Sequence, residues 1–226
     1  LIASPAIMFG IATSAYPFAQ FLGSLWLGKA SDRFGRKKIL LISIFFATLG
    51  FLLSAKTLFD KNLFAFIFSR FFSGLFEGNV AITRAVATDL QHYIEKSKSF
   101  AYLNASATSG YLIGPIIGGL LSDRQLFHWC EPALPFCFAA VLSSSSFFLI
   151  LLHFQEPRKN LGEVVVKNLN HLWQQKNIKR LLFSSFLITL SFDILYQFLP
   201  VLLVKRWQFN EFNIAVIATL LSSFMI

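Results

Sequence analysis

The sequence predicts an all-α fold, a polytopic bundle of transmembrane helices, and three observations carry that prediction. The 226 residues are 55% hydrophobic and only 14% charged, with a mean hydropathy of +0.62, outside the range of soluble globular chains. Apolar runs long enough to cross a bilayer core, which takes about 20 helical residues, recur along the whole chain. The charges collect between those runs, and on alternate sides.

Taken in order, the runs cover about 6–28, 39–55, 63–85, 100–121, 135–153 and 181–203, and a seventh opens near 213. No charge falls between Ala6 and Leu27, or between Ile39 and Ala55. The longest polar stretch, Gln155 to Arg180, opens with Glu156-Pro157-Arg158-Lys159, a helix stop followed by charge. Within it Leu161, Val165, Leu169, Leu172 and Trp173 recur at helical spacing, which fits either a short helix on the membrane surface or a solvated linker. No cleaved-signal pattern opens the chain. Leu1 is not a Met and the last run ends in apolar sequence at Ile226, so both ends read as cut.

The net charge of +9 does not point to nucleic acid, because its placement is that of a membrane protein. With the turn at Gly28–Leu40 on the inner side, inner segments carry Lys29, Arg33, Arg36, Lys37, Lys38, Lys96, Lys98, Arg158, Lys159, Lys167, Lys176, Lys179 and Arg180. Outer segments hold only Lys56, Lys61, Arg124, Lys205 and Arg206. That bias is the positive-inside rule, whereas a nucleic-acid binder needs a basic face on a soluble fold. Cys130 and Cys137 read as small apolar residues, with a disulfide as the alternative, and no Cys/His set has metal-ligand spacing. His92, His128, His153 and His171 are scattered, and no Ser-His pair or phosphate-cradling loop occurs. The expectation is therefore not an enzyme, with no cofactor and no metal.

The turn Gly28-Lys-Ala-Ser-Asp32-Arg33-Phe-Gly35-Arg36-Lys37-Lys38-Ile-Leu40 holds five basic residues and one acid between two apolar runs. It resembles the loop motif between the second and third helices of the major facilitator superfamily, G-x-L-a-D-R-x-G-R-k-x-x-l. Gly28, Asp32, Arg33, Gly35, Arg36, Lys37 and Leu40 match it, while Ala30 stands where leucine is usual. The likeness is closest to tetracycline and multidrug proton antiporters. A second stretch, Gly110-Tyr-Leu-Ile-Gly114-Pro115-Ile-Ile-Gly118-Gly119, resembles the motif that marks antiporters in this superfamily. Its glycines at 110, 114 and 118 also lie on one face and allow close helix approach, and Pro115 removes one backbone hydrogen bond and favours a kink. Arg70 and Gly74 match the superfamily's R-x-x-x-G motif in part, with Ser73 in place of glutamine and with Phe76 and Glu77 where small residues are expected.

The resemblance implies a major facilitator bundle truncated at both ends, covering about helices two to eight. Residues 1–154 would be the N-terminal half, 155–180 the central cytoplasmic loop, and 181–226 the start of the C-terminal half. It also implies that Asp32, Arg33 and Arg36, with Asp89 of the next helix pair, latch the inner side.

Ionisable groups in hydrocarbon are costly and mark functional paths, which singles out Arg70, Glu77, Arg84 and Asp193. The first three, spaced by seven, predict one charged stripe on a single helix, Arg84 being a snorkelling or gate residue near its inner end. Glu77 is a proton carrier, a ligand for a cationic substrate, or a partner for an arginine of a neighbouring helix. Asp193 lines a polar path with Tyr196 and Gln197, or makes a helix–helix hydrogen bond. The function expected is proton-coupled antiport that exports a small amphipathic compound by alternating access, with the proton gradient as the coupling agent. The partners are then a small-molecule substrate and the lipid bilayer, and the protein is a multi-pass monomer in the cytoplasmic membrane of a bacterium. The rivals are a metabolite or siderophore carrier of the same fold and a membrane scaffold or sensor that does not transport.

Overall fold

The computed structural model describes residues 5–90, 94–123, 131–156 and 176–224, and these residues form helices and no strand. In chain order the helices are α1 (Pro5–Phe34), α2 (Arg36–Phe59), α3 (Leu63–Glu77), α4 (Val80–Asp89), α5 (Lys96–Ser122), α6 (Leu134–His153), α7 (Lys176–Trp207) and α8 (Glu211–Phe224). Three stretches among the described residues are long and apolar enough to cross a membrane: Arg36–Phe59, Leu134–His153 and Asn177–Val204. Helices α1 and α5, of 30 and 27 residues, reach a spanning length, about 40 Å or more at 1.5 Å per residue. Gly, Ser, Thr and Gln dilute their apolar character. The expected surface helix around 161–173, most of the central loop and Cys130 lie outside the described residues.

Two expectations need correction. The turn at Gly28–Leu40 is almost wholly helical. α1 runs on to Phe34, α2 begins at Arg36, and Gly35 alone separates them at φ +103° and ψ 144°. An L side chain rarely adopts that conformation, whereas glycine adopts it without steric cost. The predicted single helix over 63–85 is two helices, because α3 ends at Glu77 and α4 starts at Val80. At the junction the backbone ladder tightens, with the Ala81 N–H bonded to the Gly78 carbonyl three residues back at 3.2 Å. The charged stripe is broken in consequence: Arg70 and Glu77 belong to α3, while Arg84 sits on α4 and is exposed.

Small residues explain which helices pack. α3 lies against both α1 and α2, α2 also against α6, and α5 against α8. A Cβ built on Gly74 or Gly78 would run into the α1 backbone at Tyr16 and at Gly23–Ser24, and one on Gly23 would meet the Leu75 carbonyl. The α1 and α3 backbones therefore touch, as small-residue helix pairs do in membranes. Between α2 and α3, Ser54 Oγ and Ser69 Oγ share a 3.0 Å hydrogen bond, and Phe46 stacks on Phe76 with centroids 4.7 Å apart. Between α2 and α6, Thr48 Oγ1 donates to Ser143 Oγ at 2.8 Å. At the inner end Leu27, Ile39, Leu40, Ile44, Ile82 and Val86 form the buried apolar cluster that joins α1, α2 and α4.

This packing predicts an asymmetry among glycines. Gly74→Val should cost roughly 1–3 kcal/mol by overpacking and lower the thermal midpoint of the detergent-purified full-length protein. Gly10→Ala, where a Cβ meets nothing within 4 Å, should leave the midpoint unchanged or raise it, since alanine favours a helix by up to about 1 kcal/mol. Equal loss in the two variants would contradict the backbone contact.

Candidate functional site

The inner end of the bundle is held by a network of charges. Arg36 is the first residue of α2, and its guanidinium reaches three partners: Asp32 Oδ1 at 2.6 Å from Nη1, Asp89 Oδ2 at 3.0 Å from Nε, and Ser31 Oγ at 2.8 Å from Nη1. The fork geometry of arginine suits donation to several acceptors at once. Ser31 is buried, Asp89 is partly buried, and the Asp32 side chain is 64% exposed. The Asp32 pair is therefore worth little by itself, since exposed ion pairs contribute about 0–1 kcal/mol. The contact with Asp89 ties the start of α2 to the end of α4. Of the sequence-predicted latch residues, Asp32, Arg36 and Asp89 meet. Arg33 does not join them; it is exposed, with its guanidinium 5.4 Å from the Phe34 ring centroid.

Sequence reasoning missed the role of Glu156. A glycine N-cap has no side chain to accept the free N–H groups of the first turn, and the Glu156 carboxylate takes that place from beyond α6. The backbone N–H groups of Arg36 and Lys37 donate to its two oxygens, the latter at 2.7 Å. A negative group at a helix N-terminus is also favoured by the helix dipole. In return Lys37 Nζ donates to the Leu151 carbonyl in the last turn of α6 at 3.0 Å. The start of α2 and the end of α6 thereby clasp one another.

The second cluster lies deeper, at the α3–α4 break. Tyr16 Oη of α1 donates to the Glu77 carboxylate, and Gln20 Nε2, one turn further along α1, donates to the Glu77 carbonyl at 3.3 Å. The Arg70 guanidinium stands over the Tyr16 ring at 4.2 Å and over Phe136 of α6 at 5.4 Å. Among the described residues neither Arg70 nor Glu77 has an ion-pair partner. A cavity of about 440 Å³ opens beside Glu77, between α2, the α3–α4 break and α6, with Asn79, Thr83, Ser143 and Ser146 on its polar side and Leu40 and Ile44 among its apolar walls. Tyr16 and Gln20 were legible only as two polar residues one turn apart in an uncharged run.

The remaining sequence-predicted residues stand apart. Asp193 is exposed on α7, and no contact joins it to Arg70 or Glu77 among the described residues. Gly110, Gly114 and Gly118 face open space, and they line a cavity of about 350 Å³ between α5 and α6. Pro115 lies inside α5, Gly119 is buried, and α5 continues through both to Ser122. A Cβ on Gly28 would also meet nothing.

Comparison with known proteins identifies the family. The family model described as Major Facilitator Superfamily matches residues 3–226. The tetracycline resistance protein, class B, of Escherichia coli is 34% identical over 150 residues, 66% of this chain and 35% of that relative. The class H protein of Pasteurella multocida is 32% identical over 165 residues, 73% of this chain and 38% of the relative. The quinolone resistance protein NorA of Staphylococcus aureus is 27% identical over 154 residues, covering 67% and 37%. The matched stretch thus spans 35–38% of the length of these relatives.

The clasp predicts a local effect. Glu156→Ala should cost about 1 kcal/mol, the scale of a lost helix cap, and amide exchange at Arg36 and Lys37 should rise several-fold in the purified full-length protein. Exchange around Tyr16 should stay at the wild-type rate, and no change at 36–37 would refute the capping role.

Proposed function

The chain belongs to the major facilitator superfamily, a family of carriers rather than enzymes, and from that premise we propose that it is part of a proton-coupled antiporter that exports a small amphipathic drug-like compound. The observation that carries this reading is the setting of Glu77. Its carboxylate lies at a helix break, beside a cavity of about 440 Å³, bonded to the Tyr16 hydroxyl and to no cation among the described residues. A partly buried carboxylate among neutral groups and without a countercharge is costly in its ionised form, so it has reason to take up a proton. Held by a neutral phenol, it can also release that proton without breaking an ion pair.

In this reading Glu77 exchanges a proton for substrate, and Arg70 supplies positive charge nearby. Asp193 of α7 is the second candidate acid, facing the same path from the other half of the carrier when the halves come together. Asp32, Arg36 and Asp89 hold the inner side closed, with Glu156 supporting Arg36 from behind. Gly110, Gly114, Pro115, Gly118 and Gly119 belong to the motif that favours exchange. Alternating access by rocking of two halves about a midplane site follows from the family. The names of the relatives, tetracycline and quinolone resistance proteins, support a drug as the substrate and the bacterial cytoplasmic membrane as the location.

The test uses the full-length protein in proteoliposomes with an imposed pH gradient and labelled tetracycline or a labelled quinolone. Wild type should accumulate at least one of the two. Glu77→Gln should lower accumulation at least tenfold while keeping exchange of labelled for unlabelled compound at equal pH, which needs no net proton movement. Asp193→Asn beside it identifies which acid carries the proton. If wild type accumulates neither compound at any gradient, the drug-export reading fails and a carrier of a narrow metabolite takes its place.

A further inference from the structure

Tyr16 makes contact with both partly buried ionisable groups of α3, and it does so from a different helix. Arg70 and Glu77 are seven residues apart on α3, so about 10 Å separates them along the helix axis. Tyr16 bridges that gap. Its hydroxyl donates to the Glu77 carboxylate, and its ring face lies 4.2 Å from the Arg70 guanidinium carbon. A cation over a phenol face is attracted by the ring quadrupole, so one side chain seats both charges while keeping them out of contact with each other.

The place of Tyr16 in the fold gives this arrangement a consequence. Gly74, midway between Arg70 and Glu77, lets the α3 backbone touch α1 at Tyr16 itself. The phenol is thereby held at the helix crossing, where a small displacement of α1 against α3 alters its bonds. Further along α1, Ser31 and Asp32 bond Arg36 at the inner latch. Gly35 joins α1 directly to α2. Helix α1 therefore carries Tyr16 at one level and half of the latch about 24 Å away at the other, sixteen residues at 1.5 Å each.

We propose that Tyr16 is the positioning residue that transmits the proton state of Glu77 to α1 and so to the inner latch. The inference rests on the reading of Glu77 as a proton carrier. When Glu77 is ionised, the phenol O–H donates to a carboxylate, a charge-assisted bond of roughly twice the strength of a neutral one, and α1 is fastened to α3. When Glu77 takes up a proton, both groups are neutral hydroxyl-bearing partners, the bond weakens, and α1 is released. The polar groups that bond Glu77 are Tyr16 and Gln20 from α1, and those that share its cavity are Asn79 and Thr83 at and after the break and Ser143 and Ser146 from α6. None of these is charged at neutral pH, and Arg70 reaches the acid only through the Tyr16 ring, so the phenol is the group that senses the proton.

The test uses the same full-length protein in proteoliposomes, with whichever of tetracycline or quinolone wild type accumulates. Tyr16→Phe keeps the ring beneath Arg70 and removes only the hydroxyl. It should lower gradient-driven accumulation at least tenfold while exchange at equal pH stays within about twofold of wild type. The double variant Tyr16→Phe with Glu77→Gln should be no worse than Glu77→Gln alone, since both remove the same link. Tyr16→Leu, which also unseats Arg70, should reduce exchange as well. Accumulation by Tyr16→Phe at the wild-type level, with Glu77→Gln uncoupled, would overturn this inference and leave the proton-carrier reading standing. Equal loss of accumulation and exchange in Tyr16→Phe would also overturn it, by showing a structural role alone. Failure of wild type to accumulate either compound would instead sink the reading beneath it, and this inference with it.

Discussion

The contact on which the rest of the structure depends is the approach of the α1 and α3 backbones. Gly23 on α1, and Gly74 and Gly78 on α3 and at the helix break that follows it, leave no room for a Cβ. Without side chains between them, the helices meet at backbone distance, and van der Waals contact replaces the hydrophobic drive that lipid cannot supply. The same approach sets the chemistry. It brings Tyr16 within reach of Glu77 on one side of Gly74 and of Arg70 on the other. It also coincides with the end of α3, because Gly78 sits against Gly23–Ser24 where the backbone ladder tightens and the chain restarts as α4. A bulkier residue at any of these glycines would part the helices and break up the polar cluster together.

The inner end obeys a different constraint, set by backbone conformation. Gly35 at φ +103° reverses the chain between two helices within one residue, which leaves α2 without a capping side chain of its own. Two borrowed groups make up the deficit. Glu156 accepts the first free N–H groups, and the Arg36 side chain ties the same turn to Asp32, Ser31 and Asp89. The start of α2 is thereby joined to α1, α4 and the exit of α6 at one point. Movement of any of the four helices against the others has to pass through this junction.

How much of this was legible in the sequence follows from which features are local. The all-α class and the membrane-spanning character of Arg36–Phe59, Leu134–His153 and Asn177–Val204 come from composition and run length, and they agree with the structure. The resemblance pointed Asp89 at the arginines of the Gly28–Leu40 stretch, and Arg36 is the one that meets it; the contact of Arg36 with Asp32 was not foreseen. The helix break at Gly78–Asn79 was not legible, since an apolar run with two scattered glycines reads as one helix, and the close approach of the α1 backbone to Gly78 is a contact between residues far apart in sequence. Tyr16 and Glu156 were missed for the same reason. Each acts on a partner 61 or 120 residues away, and nothing in its own neighbourhood distinguishes it from an ordinary aromatic or a helix-stop acid. The charged stripe through Arg84 failed because periodicity assumes one unbroken helix.

The way the two partly buried ionisable groups of α3 are held bears on what the site can do. Arg70 and Glu77 could have formed an ion pair if they stood one turn apart on α3. Such a pair in a low-dielectric interior would fix both protonation states, because removing either charge strands the other at a cost of several kcal/mol. Seven residues put them about 10 Å apart along the axis, and the gap is filled by a neutral ring. The cation then has an aromatic seat between Tyr16 and Phe136, and the acid has a hydroxyl. Each group is stabilised without being neutralised, so the carboxylate can gain or lose a proton while the guanidinium stays charged. The proposed exchange of a proton at Glu77 requires that arrangement, and a salt-bridged pair at the same depth would oppose it.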